Sequence, residues 1–192
     1  MNRSDVKERA RKTLANGYMP VIELTLDAPR FSGGMMENVS RELVLRADAA
    51  AALVHDVERD VFIMAEQFRF PVYEAGEGWL LELVAGKVDG EERPEACIIR
   101  EIEEEIGYRA KKVEPVAVYF AAPAYSTERI HLFYAPVKTS DLVKADAHGV
   151  DEGEDIRRME LPRAEFLDRI DKRDFLDNKV LAMSGWIVKR FG

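Results

Sequence analysis

The chain has 192 residues, of which 47% are hydrophobic and 33% charged, and this length suits one well-packed domain with at most a small extra lobe. Its formal net charge is -8, which argues against a protein that coats nucleic-acid phosphates. The single cysteine, Cys97, allows no intrachain disulfide and is typical of a reducing compartment. The N-terminal segment lacks the apolar core of a secretory signal, and no apolar run approaches bilayer length. We therefore predict a soluble, cytoplasmic protein with neither a nucleic-acid nor a membrane partner.

The first predicted elements form an N-terminal helix and strand extension over residues 1–45. Asp5 with Glu8 three residues later resembles a capping box and predicts a short helix that runs to about Leu14. Val21–Leu26 alternates between apolar and polar residues and predicts a strand. The glycines of Arg30–Gly34 predict a turn at the tip of a hairpin.

The remainder of the chain predicts more strands around one central helix. Seven strand segments are Glu42–Arg46, Ala51–Val54, Val61–Phe68, Leu80–Val84, Lys112–Phe120, Arg129–Val137 and Ile156–Leu161. Pro94–Ile106 is the clearest helix, because proline occupies its first position and Gly107 follows its end. Two closing helices are predicted near Arg163–Ile170 and Asn178–Lys189, after a long acidic loop over Thr139–Asp155. This order predicts an α/β fold in which helices sandwich a mixed sheet.

The central helix carries an unusual group of carboxylates. Successive helix residues turn by about 100°, so Glu101, Glu104 and Glu105 fall within about 100° of arc. These like charges repel one another, and they lie in the C-terminal half, where the helix dipole favours cations. A hard divalent cation such as Mg²⁺ would reverse the balance, because it takes carboxylate oxygens as ligands. A merely solvated acidic face is the alternative, and spacing alone leaves both open.

Residues 86–108 carry a long pattern of residues at fixed spacing, which are Gly86, Glu92, Arg100, Glu101, Ile102, Glu104, Glu105, Gly107 and Tyr108. This pattern resembles the Nudix box at every fixed position. The resemblance implies the Nudix fold, an α/β/α sandwich around a mixed β-sheet, with residues 46–192 as the hydrolase domain. It also implies hydrolysis of a diphosphate linked to another group, with Mg²⁺ or Mn²⁺ as cofactor.

The resemblance also implies roles for individual residues. The implied metal ligands are the carbonyl of Ala85 and the carboxylates of Glu101, Glu105 and Glu154. Glu104 is a further ligand or a base, and Glu152 is a second candidate for the catalytic base. Arg100 is implied to orient a glutamate of the box, Glu92. The glycine of the box, Gly86, permits the tight loop before the helix.

Matches beyond the box resemble the ADP-ribose and GDP-mannose pyrophosphatase branch of the family. Gln67–Arg69, Leu81–Gly86 and residues 148–156 resemble the ADP-ribose pyrophosphatases, whereas Asp177–Val180 resembles the GDP-mannose pyrophosphatases. The branch implies a nucleoside diphosphate sugar as substrate and a homodimer in which the N-terminal strands help complete the partner's site. The implied substrate-binding residues are Arg41, Glu42, Arg69, Glu82, Gly86, Glu128 and Lys179.

The chain departs from the branch before Glu128, where Ala122–Thr127 lacks the usual pair of glycines. This change alters a loop near the sugar and leaves several substrates open. The alternatives are an ADP-ribose-specific enzyme or a hydrolase of dinucleoside polyphosphates or oxidised nucleoside triphosphates. A further alternative, from another class, is a non-catalytic Nudix domain that senses a nucleotide sugar.

Overall fold

The computed structural model describes residues 5–145, 147 and 155–192. Two compact units divide the chain. The small unit holds the residues up to Asp48 together with Phe120–Arg129. The main unit holds Ala49–Tyr119 and Ile130–Gly192.

The small unit is built on a three-stranded antiparallel sheet in the order β1-β2-β3. The strands are β1 (Lys7–Ala15), β2 (Val21–Pro29) and β3 (Met35–Val44). Gly33 and Gly34 adopt positive φ angles of 89° and 76° between β2 and β3, which confirms the predicted hairpin tip. The segment around Tyr125 joins this unit through the Val44 N–H, which donates to the Tyr125 carbonyl at 2.7 Å.

The predicted helix up to Leu14 is wrong, because Lys7–Ala15 forms a strand. This segment pairs with β2 along its whole length, and all its residues are exposed. A helix here would have no apolar face to bury against the protein, so a capping-box pattern alone does not stabilise it. The ladder with β2 supplies the backbone partners instead, and Arg9 reaches Asp27 with a hydrogen bond of 2.6 Å.

The main unit contains a mixed sheet in the order β10-β5-β4-β9-β8, while β6 pairs with β5 and β7 pairs with β4. Its strands are β4 (Ala49–Asp56), β5 (Val61–Phe68), β6 (Trp79–Glu82), β7 (Val84–Lys87), β8 (Glu114–Phe120), β9 (Arg129–Val137) and β10 (Ile156–Pro162). β4 runs parallel to β9 but antiparallel to β5 and β7. The predicted strand Leu80–Val84 is therefore two strands with different partners.

Helices cover both faces of this sheet. The helices are α1 (Phe70–Glu74), α2 (Pro94–Ile106), α3 (Arg163–Lys172) and α4 (Asn178–Phe191). Alternate residues of β4 point to opposite faces. Ala50, Ala52 and Val54 belong to the core cluster with the apolar side of α2. On the other face, His55 lies 5.3 Å from the ring of Phe191 in α4.

Aromatic packing extends the second layer. The ring of Phe62 in β5 lies 4.6 Å from that of Phe166 in α3, and that of Tyr134 in β9 lies 5.4 Å from that of Trp186 in α4. The three layers confirm the predicted α/β/α sandwich around a mixed sheet. Across the described ranges, no helix is both long and apolar enough to span a membrane.

Candidate active site

Helix α2 presents the glutamates of the predicted box, and its two ends are fixed by residue type. Pro94 opens the helix after Arg93, whose backbone is extended. Gly107 ends it with a left-handed φ of 78°. A Cβ added at Gly107 would overlap the backbone carbonyl of Lys144, so both conformation and space require glycine there.

The three glutamates have three different environments. The side chain of Glu104 is 48% exposed and that of Glu101 is 15% exposed. Glu105 is only 7% exposed and lies on the buried side of the helix with Ile102 and Ile106. The predicted arc of carboxylates therefore runs from solvent to the protein interior, and the solvated-face alternative does not describe Glu105.

Arg100 bonds three of the box glutamates. Its Nη2 donates to Glu92 at 3.2 Å, and its Nη1 donates to Glu101 and to Glu104 at 2.8 Å each. The implied contact with Glu92 is thus present. The hydrogen bond with Glu92 is the largest cause that raises the pKa of the Arg100 guanidinium, against the opposing effect of burial. The guanidinium also holds Glu101 and Glu104 in fixed orientations.

Gly86 allows the carboxylate of Glu101 to approach the backbone of β7. A Cβ built on Gly86 would overlap the carboxyl carbon and Oε1 of Glu101. The glycine is therefore required by a close approach rather than by an unusual φ angle. It brings the Glu101 carboxylate beside the strand that carries the Ala85 carbonyl.

Glu105 is a buried acid in the neighbourhood of other acids. Burial raises its pKa well above the ordinary value, and the charges of Glu101 and Glu82 raise it further. Arg69 and a backbone hydrogen bond from Ala85 lower it, but they do not reverse the direction. An ionised Glu105 therefore needs additional positive charge nearby.

The donor set fits a hard divalent cation. Glu101 and Glu105 supply carboxylate oxygens next to Gly86 and Ala85, and the Ala85 carbonyl is a further oxygen of the kind that Mg²⁺ prefers. In the part of the chain that the structure describes, no three Asp, Glu, His or Cys side chains converge to hold a metal by themselves. Two implied residues, Glu152 and Glu154, lie outside the described residues.

A second charged cluster, which we call the Glu82 cluster, consists of Arg69, Glu82, Asp177 and Lys179. The Arg69 Nε donates to one oxygen of Glu82 at 2.7 Å, and the Lys179 Nζ donates to the other at 2.9 Å. Lys179 Nζ also lies 2.9 Å from Asp177 Oδ1. Three of the predicted substrate-binding residues are therefore brought together, and Asp177 joins them.

The two pairs of opposite charges keep each other ionised. Burial would raise the pKa of Glu82, but Lys179 and Arg69 outweigh it and hold that pKa below the ordinary value. Burial would lower the pKa of Lys179, but Asp177 and Glu82 outweigh it and raise that pKa. The cluster thus holds a charged lysine, and two of its members, Arg69 and Glu82, act electrostatically on the box glutamate Glu105.

Three further predicted substrate-binding residues, Arg41, Glu42 and Glu128, belong to the small unit. Arg41 and Glu42 are exposed residues of β3, and Arg41 Nη1 donates to the carbonyl of Ser40 at 2.7 Å. Glu128 accepts a hydrogen bond of 3.4 Å from Arg46. Their contact with a substrate remains a prediction.

Sequence reasoning did not assign a role to Asp177. Its side chain accepts from the Lys179 N–H and caps α4, while its other oxygen accepts from the Leu83 N–H at 3.0 Å. The order Asp-Asn-Lys before a helix carries the capping signal. The contact with Leu83 has no local signal, because the two residues are 94 positions apart.

Comparisons with known proteins identify the family of this chain. The NUDIX domain family model matches residues 45–179. The chain is 33% identical over 178 residues to the GDP-mannose pyrophosphatase of Citrobacter koseri, covering 92% of this chain and 91% of the relative. It is 33% identical over 174 residues to that of Cronobacter sakazakii, covering 90% and 89% of the two chains.

A solved structure shows the same fold. The crystal structure of an ADP compounds hydrolase superposes with a TM-score of 0.71, covering 97% of this chain and 93% of that chain. The two sequences are 19% identical, so this likeness concerns the fold.

Proposed function

Because this chain belongs to the NUDIX domain family and is a Nudix hydrolase, we propose that it cleaves the diphosphate bond of a nucleoside diphosphate sugar of the GDP-mannose or ADP-ribose type. The products are a nucleoside monophosphate and a sugar phosphate. The observation that carries the proposal is the Glu82 cluster, in which Arg69 and Lys179 both bond Glu82, and in which Arg69 and Glu82 act electrostatically on the buried box glutamate Glu105. GDP-mannose is the first choice, because the curated relatives carry the name GDP-mannose pyrophosphatase.

The proposed cofactor is Mg²⁺, with Mn²⁺ as a substitute. Glu101, Glu105 and the Ala85 carbonyl would hold it, together with Glu154. A bound divalent ion neutralises the diphosphate and stabilises the charge that develops in the transition state. The buried, charge-disfavoured carboxylate of Glu105 supports this assignment, since a nearby cation would favour its ionised form.

The chain's own residues bind the substrate and move the proton. Arg69 and Lys179 bind phosphate or sugar oxygens, and the planar guanidinium of Arg69 is suited to paired contacts. A carboxylate, Glu152 or Glu104, accepts the proton of the attacking water. Glu104 is exposed to solvent and bonded to Arg100. Arg100 itself keeps the glutamates of the box oriented.

A product-release assay across a substrate panel tests the proposal. The panel contains GDP-mannose, ADP-ribose, a dinucleoside polyphosphate and an oxidised nucleoside triphosphate, each with Mg²⁺, with Mn²⁺ or with a chelator. We expect rapid release of nucleoside monophosphate from a nucleotide sugar and none with the chelator. Turnover of triphosphates without turnover of nucleotide sugars would refute the substrate class, and turnover in the chelator would refute the metal.

The alternative function is that of a non-catalytic domain, which senses a nucleotide sugar without cleaving it. Every fixed position of the box is present, and Arg100, Glu101, Glu104 and Glu105 form the contacts described above. A protein that binds GDP-mannose in calorimetry but cleaves no compound of the panel would support sensing. We expect cleavage.

We also propose a homodimer, in which strands of the small unit help complete the partner's substrate site. Among the residues of β1, β2 and β3, only Ile22 and Asp27 are buried. A three-stranded sheet with so little buried surface gains stability when another surface covers it. Light scattering after size exclusion should give about twice the mass of 21.8 kDa, and a monomer at micromolar concentration would exclude the dimer.

We further propose a cytoplasmic setting, which the single buried cysteine supports.

A further inference from the structure

Asp177 bonds three groups at once although it lies outside the Nudix box. It is 2% exposed, and its Oδ1 accepts from the Lys179 N–H at 3.0 Å and lies 2.9 Å from the Lys179 Nζ. Its Oδ2 accepts from the Leu83 N–H at 3.0 Å. One buried carboxylate thus connects the start of α4, a lysine side chain and the backbone between β6 and β7.

The hydrogen bond from the Leu83 N–H to Asp177 lies where the chain passes from one partner strand to another. Glu82 pairs with Ala65 in β5, whereas Val84 pairs with Ala52 in β4, so the chain changes its partner strand at Leu83. A buried N–H at such a change needs another acceptor, and an unpaired one costs about 1–3 kcal/mol. Asp177 supplies the acceptor and so fixes the chain between Glu82 and Ala85.

The bond to Lys179 fixes a long and flexible side chain. Lys179 is 12% exposed at its side chain, and its ammonium lies between Asp177 and Glu82. A lysine has four rotatable side-chain bonds, and two carboxylates restrict the position of its ammonium far more than one. Without Asp177, the ammonium would keep only Glu82 and would be free to rotate about it.

We propose that Asp177 is a positioning residue for substrate binding, which holds the Lys179 ammonium in the place where a phosphate or sugar oxygen of the substrate meets it. The proposal rests on the proposed function, in which Lys179 contacts the substrate. Asp177 acts through Lys179 and does not itself touch the substrate. Capping of α4 alone would not require a charged group, since asparagine caps helices equally well.

The variant Asp177→Asn removes the charge that holds Lys179 and keeps one oxygen for a backbone N–H. The second backbone N–H loses its acceptor, which should lower Tm, so the effect on Lys179 is read from KM and from the matched control below. We expect the KM for GDP-mannose to rise about tenfold while kcat changes less than about twofold, because binding and not chemistry depends on the ammonium. An unchanged or lower KM would overturn the proposal.

The variant Asp56→Asn is the matched control. Asp56 is also a fully buried carboxylate of the main unit, and it accepts from the backbone of Glu58 and Arg59 and from the Arg59 side chain. We expect both variants to lower Tm but only Asp177→Asn to raise KM. An equal KM increase in both would show that the effect is general destabilisation and would overturn the proposal.

A double-mutant cycle with Lys179→Met tests whether Asp177 acts through the lysine. In the Lys179→Met background, Asp177→Asn should have no further effect on KM, because the group that it positions is gone. A full additional tenfold effect would overturn the proposal. If Lys179→Met alone leaves KM unchanged, the substrate contact of Lys179 in the proposed function fails instead.

If neither GDP-mannose nor ADP-ribose is hydrolysed, a measurement that needs no substrate can still test the positioning role of Asp177 separately from the proposed substrate. Acylation of Lys179 by an amine-reactive reagent, followed by mass spectrometry, reports how firmly the ammonium is held. We expect Asp177→Asn to accelerate this acylation about tenfold, since a loosened and less charge-stabilised amine reacts faster. Asp56→Asn should not. Equal rates in the wild type and Asp177→Asn would overturn the positioning role.

Discussion

Glu105 shows at the scale of one side chain why the box needs a cation. Its carboxylate is buried, and the acidic side chains of Glu101 and Glu82 raise its pKa further. The sequence predicted the glutamates and their shared arc, because both follow from identity and helix periodicity. It could not predict that Glu105 is buried while Glu104 is exposed, because that depends on which strands pack against α2.

Glu105→Gln should stabilise the metal-free protein at neutral pH while abolishing hydrolysis. The folded state raises the pKa of Glu105 above the ordinary value of 4.5. As far as this group is concerned, the protein is therefore more stable below pH 4.5 than at neutral pH, and that stability is lost as the pH rises from 4.5 through the folded value. Thermal unfolding in a chelator should give a higher Tm for the variant at pH 7.5 and equal values near pH 4.5. With Mg²⁺, the hydrolysis rate should fall at least ~100-fold.

Glu103→Gln is the control on the same helix. Glu103 bonds Arg109 at 2.9 Å and is not one of the implied ligands. It should leave the hydrolysis rate unchanged and should not raise Tm at pH 7.5. A lower Tm for Glu105→Gln than for the wild type at that pH would contradict the assigned burial cost.

Gly86→Ala should reduce activity without unfolding the protein. The new methyl group would displace the Glu101 carboxylate, which is the end of a side chain and can move. We expect a fall in kcat/KM of about 100-fold, because a metal ligand is shifted, with a small change in Tm. Gly185→Ala in α4, where a Cβ would meet no atom within 4 Å, should leave kcat/KM unchanged. Full activity of Gly86→Ala would contradict the close approach.

The elements differ in how far the sequence could predict them. The bounds of α2 and β9 match the prediction, because proline and glycine mark the ends of the helix and the strand is rich in apolar residues. The change of partner at Leu83 could not be predicted, since consecutive residues of one apolar run pair with strands that are distant in sequence. β1 was missed for the same reason: its conformation is set by pairing with β2.

Gly107→Ala should lower the free energy of unfolding more than the same substitution does at a left-handed glycine with open space around it. A left-handed alanine costs roughly 1–2 kcal/mol, and the overlap with the Lys144 carbonyl adds to this. Gly90→Ala is the comparison, because Gly90 has a φ of 52° and open space around its Cβ position. Urea unfolding should show a larger loss of unfolding free energy for Gly107→Ala. Equal losses would mean that the backbone near Lys144 adjusts without cost.

On the scale of the whole molecule, a network around Asp56 ties distant segments of the main unit together. Arg59 follows β4 and bonds Asp56 at 2.7 Å, Glu160 in β10 at 2.6 Å and the Tyr108 hydroxyl at 2.9 Å. Thr139 adds a hydrogen bond of 2.9 Å to Asp56. The family and the α/β/α fold could be predicted from motif and element order, but such long-range networks leave no pattern in the sequence.

Asp56→Asn should destabilise the protein in a pH-dependent way. Burial would raise the pKa of Asp56, but bonds from Arg59, Thr139 and two backbone N–H groups outweigh it and lower that pKa. Its stabilisation is therefore present above the ordinary value of 3.8 and is lost as the pH falls through the folded value. The Tm difference between the wild type and the variant should be largest near pH 7 and should shrink below pH 3.8. A constant difference across this range would contradict the assigned role of its charge.

The hydrogen bond between Leu83 and Asp177 also bears on the order in which a growing chain can form its contacts. The two residues are separated by 94 positions. A ribosome-bound chain acquires the Nudix box long before it acquires the acceptor for Leu83. A chain that stops short of residue 177 would therefore carry the whole motif but would lack the carboxylate that accepts from the Leu83 N–H and lies against the Lys179 ammonium.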